Sequence, residues 1–340
     1  MDNLTNEIEK FYDNYQGAED LRSEEEKEKD FNQKEIVASA NPVIWVEKKP
    51  QDWRSFPIMN QFYTSKCVAF TTAKLALINY WLKTNEFLMF SPNSIYDYRV
   101  NKPGGGMIGD DAFTIWKDKG IALEGVCKSN QVQETEPIEI TLFAKEVAKG
   151  FRLGNYITID NGDFDRVIST IQTTNKGVMV WFWFTSSEWS PEIPVLNPNT
   201  SSNNASRHSV TAVDGGLING VQYMKIEDSA HFGGRSVRYI TREFFNARNF
   251  LIKYPMNFNY EETPLPEVPV ITKTLRYRMT DPEVKILQDI LRSKGYFPTN
   301  SVSTGYFGSV TLKSVKSFQT DRGLSVDGVV GPRTLEKLLS

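Results

Sequence analysis

Cysteine and histidine are scarce in this chain. Its 340 residues contain two of each: Cys67, Cys127, His208 and His231. Two cysteines cannot build a disulfide scaffold; one bridge is possible on paper, and two separate thiols are expected. A structural zinc site draws its ligands from Cys and His at short spacings, and neither C-x-x-C nor H-E-x-x-H occurs. No metal and no cofactor are expected. No run approaches the roughly 18 uncharged apolar residues of a transmembrane helix, so membrane insertion is not expected. The formal net charge of -3 gives no general attraction to nucleic acid, and no nucleic-acid partner is expected. The start, Met1-Asp2-Asn3-Leu4, lacks the basic residues and apolar stretch of a secretory signal.

What is present is globular material, 40% hydrophobic and 24% charged, long enough for more than one domain. Charge is segregated along it. Residues 1–35 hold 12 acidic and 5 basic residues, whereas residues 275–340 hold 10 basic and 6 acidic. The first 40 residues, with Glu24-Glu25-Glu26-Lys27-Glu28-Lys29-Asp30, read as an acidic N-terminal extension, either a solvated helix or a disordered arm. The sharper alternative is an inhibitory pro-segment or an attachment arm. Residues 261–274 carry Pro264, Pro266 and Pro269, an extended semi-rigid linker between a unit at 41–260 and another at 275–340.

Within 41–260, Cys67 to Trp81 repeats apolar residues at helical spacing, and a short helix follows at 165–171. Val178 to Phe184 is a buried strand by its β-branched and aromatic content. Strands at 208–213 and 222–226 flank a hairpin signal running from Gly215-Gly216 to Asn219-Gly220. Residues 186–206, rich in Ser, Asn and Pro, read as a long loop. Helices come first and strands second, which is an α+β layout. The segment 275–340 shows three amphipathic helices separated by glycine turns of one repeated pattern, a small all-α domain.

Cys67 begins its predicted helix. A helix N-terminus carries about half a positive charge, which favours thiolate over thiol. His208, arriving from a distant strand, can complete a thiolate–imidazolium pair. The alternative is an inert core cysteine, and the neighbouring residues decide against it. Gln61-Phe62-Tyr63-Thr64-Ser65-Lys66-Cys67-Val68-Ala69-Phe70 resembles the nucleophile segment of the papain-like cysteine peptidases, and Asp52-Trp53-Arg54 resembles their mature N-terminal stretch. Further matches are Phe90 to Asp97, the Gly104-Gly105-Gly106 segment with Ala112-Phe113, the strand His208 to Val213, and Asp228-Ser229. The resemblance covers roughly residues 50–250, with its motifs in the family's order. It implies a papain-like two-lobed catalytic domain, a helical lobe beside an antiparallel β lobe.

The resemblance also implies the roles. Cys67 is the nucleophile, His208 the base and later the acid, and Asp228 orients His208. Gln61 donates to the oxyanion, alongside the Cys67 backbone N–H. Gly105 and Gly106 offer backbone hydrogen bonds to an extended substrate, with Lys66 and Arg207 beside them. Cys127 is expected as a structural thiol and His231 as a surface residue. The sequence departs from the family at several points. Lys66 precedes the nucleophile, either favouring its anion or pointing to solvent. Asp228 replaces an Asn, and Ala230 replaces the Trp that shields the Asn–His bond, so a wetter partner is expected. The family's disulfides are absent, so some other device must hold the helical lobe's loops.

Residues 282–339 resemble the three-helix peptidoglycan-binding module, through Gly305-Tyr306-Phe307-Gly308, Phe318-Gln319, Asp327-Gly328 and Gly331-Pro332. Thr304 stands where that module has Asp, and a weakened first half-repeat is expected. Three readings follow: a cysteine endopeptidase targeted to bacterial cell wall, a phage-type lysin cutting peptidoglycan peptide stems, and an inactive wall-binding or virion protein. The partners implied are a peptide or protein substrate and bacterial peptidoglycan. Access to the wall would come by lysis, in a phage particle or by non-standard export.

Overall fold

The helix expected from Cys67 runs Cys67–Thr84 (α1) in the computed structural model, which describes residues 42–136, 138, 140–160, 163–260 and 271–339. The acidic extension 1–40 and residues 261–270 of the proline segment lie outside the described residues. No Gly or Pro interrupts α1, and thirteen of its 18 residues are buried, as in a central helix covered on most sides. It stops at Asn85, whose left-handed backbone (φ 58°) turns its N–H onto the Trp81 carbonyl. Helices α2 (Asn93–Tyr96) and α3 (Gly109–Asp118) pack on α1 to complete the helical lobe. Phe90, Phe113 and Trp116 are buried there.

Helix α4 (Leu142–Lys149) precedes the first strand in sequence. The β lobe is one six-stranded sheet of β1 (Phe151–Asp160), β2 (Val178–Phe184), β3 (Ser206–Ile218), β4 (Val221–Glu227), β5 (Val237–Thr241) and β6 (Asn249–Tyr260). Their order is β1-β6-β2-β3-β4-β5, and every neighbouring pair is antiparallel. The β3–β4 turn sits on Asn219 and Gly220, both at positive φ, as a tight hairpin requires. Gly215 and Gly216 belong to β3 itself, where Ile168 and Lys48 crowd the space a Cβ would occupy. Helices α5 (Phe164–Thr174) and α7 (Arg242–Arg248) close the core, with Val167, Ile171, Phe244 and Phe245 against Val180, Phe182 and Ile252. The expected long loop 186–206 is not all irregular. It opens with a single-turn helix, α6 (Ser186–Trp189), closed by a capping box between Thr185 and Glu188.

The described residues divide into two compact units, 42–138 with 148–260, and 140–147 with 271–339. Among the described residues, 271–339 hold three helices, α8 (Pro282–Ser293), α9 (Ser309–Asp321) and α10 (Pro332–Leu339). The core there includes Ile271 and Leu275, so chain that reads as linker already belongs to the packed unit by Ile271. The repeat in the sequence has a structural counterpart. Buried Gln288 accepts from the Gly305 N–H (3.1 Å) and donates to Thr311 Oγ1 (2.8 Å). Buried Gln319 likewise accepts from the Gly328 N–H (2.9 Å) and donates to Thr334 Oγ1 (3.3 Å). Thr304 Oγ1 accepts from the Tyr306 N–H at 3.2 Å, as Asp327 Oδ1 accepts from the Val329 N–H at 2.8 Å, so the Thr preserves the turn.

Candidate active site

Cys67 is buried at the first residue of α1, with Lys66 at the helix cap. His208 is the third residue of β3, paired across the sheet with Phe182 of β2. Cys67 lies close enough to the His208 ring to help raise its pKa. The opposite ring nitrogen, Nε2, lies 2.7 Å from Asp228 Oδ1. Asp228 follows β4 directly, and its N–H is held by the Ser236 carbonyl at 2.8 Å. Three residues from three elements thus meet in one line: thiol, imidazole, carboxylate.

Asp228 is fully buried, which corrects the expectation of a wet partner. Its Oδ1 also accepts from the Ala230 N–H at 2.8 Å. Its Oδ2 accepts from Trp189 Nε1 at 3.0 Å and from the Arg238 guanidinium at 2.6 Å. The shielding indole is present, but it arrives from α6 and not from the position that Ala230 occupies. Trp189 stacks on Phe184 at 4.2 Å, and both rings meet the His208 ring nearly edge-on. Glu188, beside Trp189, is pinned by Arg248 at 2.7 Å, which anchors the helix turn carrying the indole.

The electrostatics follow from these contacts. Burial opposes charge on His208, but the Asp228 carboxylate, its hydrogen bond to the ring and the nearby Cys67 outweigh it, and the pKa rises to about 10. Burial likewise opposes charge on Asp228, and the charges of His208 and Arg238 hold its carboxyl well below the usual carboxylate range. The pair therefore favours an imidazolium against the Asp228 carboxylate. Burial pushes the Cys127 thiol up to about 11, as suits a structural cysteine. Neither cysteine is in a disulfide. His231 is half-buried at a left-handed residue (φ 52°), and burial lowers its pKa.

Gln61 is buried next to this line. Its Oε1 accepts from Ser229 Oγ at 2.7 Å, and its backbone N–H donates to the Ser229 carbonyl at 2.9 Å. Its Nε2 donates one hydrogen to the Thr64 carbonyl at 2.8 Å, and the amide carries a second. The loop before Cys67 is thereby tied to the segment that carries Asp228. Thr71, one turn into α1, donates to the Ser209 carbonyl at 3.0 Å and ties the helix to β3.

The remaining substrate-binding expectations are only partly met. Gly105 is exposed, and a Cβ there would sit 3.3 Å from Ser65 Oγ, so it lies beside the nucleophile loop. Gly106 is buried, and its N–H donates to Tyr96 Oη at 3.0 Å, so that N–H is already committed within the chain. Lys66 is buried too. Its ammonium donates to Asn93 Oδ1 (3.1 Å) and Gln131 Oε1 (3.3 Å), so it neither points to solvent nor presents itself to substrate. Arg207 is half-exposed opposite Trp183, and strand alternation turns it to the other face from His208.

Polar contacts supply the device expected in place of disulfides. Glu134 accepts from the Ser65 N–H at 2.6 Å and from the Tyr96 hydroxyl, while the Arg99 guanidinium lies 3.9 Å over the Tyr96 ring. Among the described residues, no His/Cys/Asp/Glu group could hold a metal ion, and no helix is long and apolar enough to cross a membrane.

Comparison with known proteins agrees with this geometry at the level of fold. The chain is similar to xylellain, a cysteine protease from Xylella fastidiosa, at 14% identity and a TM-score of 0.50, covering 66% of this chain and 90% of xylellain. It is also similar to the proform of Amb a 11, a ragweed pollen cysteine protease, at 16% identity and a TM-score of 0.51, covering 65% of this chain and 67% of that one. The fold over these residues is that of the papain-like cysteine proteases. Residues 280–338 match the family described as "Putative peptidoglycan binding domain". A 34-residue stretch, 10% of this chain, is 59% identical to an uncharacterised protein in the bpoA1 3' region of Kitasatospora aureofaciens, and the match spans only 29% of that relative.

Proposed function

We propose that this chain is a cysteine endopeptidase acting through Cys67, His208 and Asp228, and that its C-terminal unit holds it to bacterial peptidoglycan. The observation that carries the reading is the buried line from Cys67 through His208 to Asp228, set at the N-terminus of α1. The proton of the Cys67–His208 pair rests on His208, and the sulfur attacks the scissile carbonyl carbon. The carbonyl oxygen gains the negative charge. The Cys67 N–H, outside the helix's own hydrogen-bond ladder, and the second Gln61 amide hydrogen are the donors for it. One such donor is worth about 3 kcal/mol in an oxyanion site. His208 then protonates the departing amine, leaving a thioester. Water, deprotonated by His208, cleaves the thioester and returns Cys67 and the free acid. Asp228 keeps its charge throughout and holds the ring in place.

Turnover of a fluorogenic peptide library by the full chain, with Cys67→Ala as control, tests this reading. Activity that survives Cys67→Ala, or none in either chain, would sink it. Incubation with casein and with purified sacculi then separates a protein substrate from wall peptide stems. The match at 280–338 supports sacculus binding in either case.

A further inference from the structure

Arg238 is a buried ionic group that the reaction above leaves unused. It lies on β5 at the inward parity shared with Ile240, and it is fully buried. Its guanidinium donates to Asp228 Oδ2 at 2.6 Å, to the Trp189 carbonyl at 2.8 Å and to the Phe232 carbonyl at 2.7 Å. The same group lies 5.0 Å over the Trp189 ring. It thus binds both groups that cover the far side of His208, the carboxylate and the indole. A buried guanidinium is costly unless it is paired and its hydrogens are accepted, and here both conditions hold.

A carboxylate differs from an amide in the charge it sets behind the imidazole. Unbalanced, that charge would bind the imidazolium proton tightly and oppose its transfer to a leaving amine. We propose that Arg238 is a positioning residue for the Cys67–His208 pair, making with Asp228 a net-neutral partner that keeps the geometry of a carboxylate without its uncompensated charge. This rests on Cys67 and His208 forming a reactive pair, and not on which bond the pair cuts.

The groups that face the imidazole fix the signs. Cys67 comes from α1, and Asp228 from the end of β4. Phe184 of β2 and Trp189 of α6 present rings only. Arg238 of β5 stands behind Asp228, and His231 in the following turn feels both of their charges. Removing Arg238 leaves the carboxylate unbalanced, so the imidazolium persists to higher pH. Removing only the Asp228 charge leaves the guanidinium facing the ring, so the imidazolium is lost at lower pH. Removing both charges cancels the two effects. A merely structural role would instead slow both single variants and slow the double variant further.

The test is the rate of Cys67 alkylation by iodoacetate as a function of pH, in the full chain carrying Cys127→Ala. Iodoacetate is an anion drawn by the imidazolium, so the falling limb of the profile reports loss of the His208 proton. We expect the limb to move up by about one pH unit in Arg238→Met and down by about one in Asp228→Asn, each a tenfold change in that equilibrium. The double variant should return to within about half a unit of the parent. Asp228→Asn is isosteric, so its downward shift remains measurable if Arg238→Met does not fold. Single variants that move the limb in the same direction, or an Asp228→Asn limb that stays in place, would overturn the role of Arg238. A parent profile that rises without a falling limb would overturn the Cys67–His208 pair itself, and this inference with it.

Discussion

The Thr71 hydroxyl donates to the Ser209 carbonyl at 3.0 Å, joining the helix that carries Cys67 to the strand that carries His208. Thr71 is one turn beyond Cys67, and Ser209 directly follows His208, so this bond sets the register of nucleophile and base. Thr71→Val keeps the buried shape and loses the bond. Stability should fall by about 1 kcal/mol. Turnover should fall further, by about tenfold in kcat/KM, because small misplacements of reacting groups are amplified in rate. Urea unfolding and peptide turnover measured together check this. Unchanged turnover with reduced stability would show that the bond matters only to folding.

The buried pair also predicts how stability varies with pH. Burial raises the Asp228 carboxyl, but the charges of His208 and Arg238 together with its hydrogen bonds hold it well below its ordinary range. Its contribution is present above the unfolded value of about 3.9 and is lost as pH falls through the folded value. His208 is raised to about 10, with burial lowering it and Asp228 raising it more. Its contribution is full below about pH 6.5 and is lost as pH rises through the folded value. Urea midpoints should therefore decline from about pH 6.5 towards about pH 10. His208→Gln should flatten that decline. A parent protein that gains stability over this interval would contradict the arrangement.

The line Cys67–His208–Asp228 was legible because each residue sits in a local motif whose neighbours identify it. Trp189 and Arg238 were not, because their roles depend on which strand and loop close over Asp228. The indole comes from a segment that reads as irregular by its Ser and Pro content, where the Thr185–Glu188 capping box was the one available signal for α6. For Arg238 the signal was alternation. In Val237-Arg238-Tyr239-Ile240 the arginine shares the parity of Ile240, an inward position that only a paired charge can fill. Lys66 misled for the converse reason. Adjacency to the nucleophile suggests the substrate site, but at the cap of a buried helix its side chain turns inward to Asn93 and Gln131.

Lys66→Met tests that correction. Burial lowers the pKa of the ammonium, against the raising charge of Glu134, and its bonds go to Asn93 and Gln131. Met keeps most of the volume and leaves those two amides short of a donor. Stability should drop by roughly 1–3 kcal/mol. KM for a peptide substrate should change less than about twofold, since uniform substrate binding is untouched. A large rise in KM at unchanged stability would return Lys66 to the substrate site.

The C-terminal unit offers a comparison of two glycines. Gly328 has a φ of 74°, and a Cβ there would lie 2.4 Å from Leu312 Cδ1 and 3.1 Å from Lys316 Cε. Gly323 has a φ of 63°, and a Cβ there would meet nothing within 4 Å. Alanine at either position carries the left-handed penalty of about 1–2 kcal/mol. Only at Gly328 does it add overpacking, typically about 1–3 kcal/mol, and there it also strains the N–H that Gln319 accepts. The three helices close over a small core, so that sum is a large share of what the unit can hold. Gly328→Ala should lose most sacculus binding in a sedimentation assay, while Gly323→Ala should keep most of it. Turnover of a small soluble peptide should be unchanged in both, because tethering raises local substrate concentration and does not alter the site. If Gly328→Ala loses peptide turnover as steeply as sacculus binding, the C-terminal unit takes part in the reaction, and the separation of targeting from catalysis is wrong.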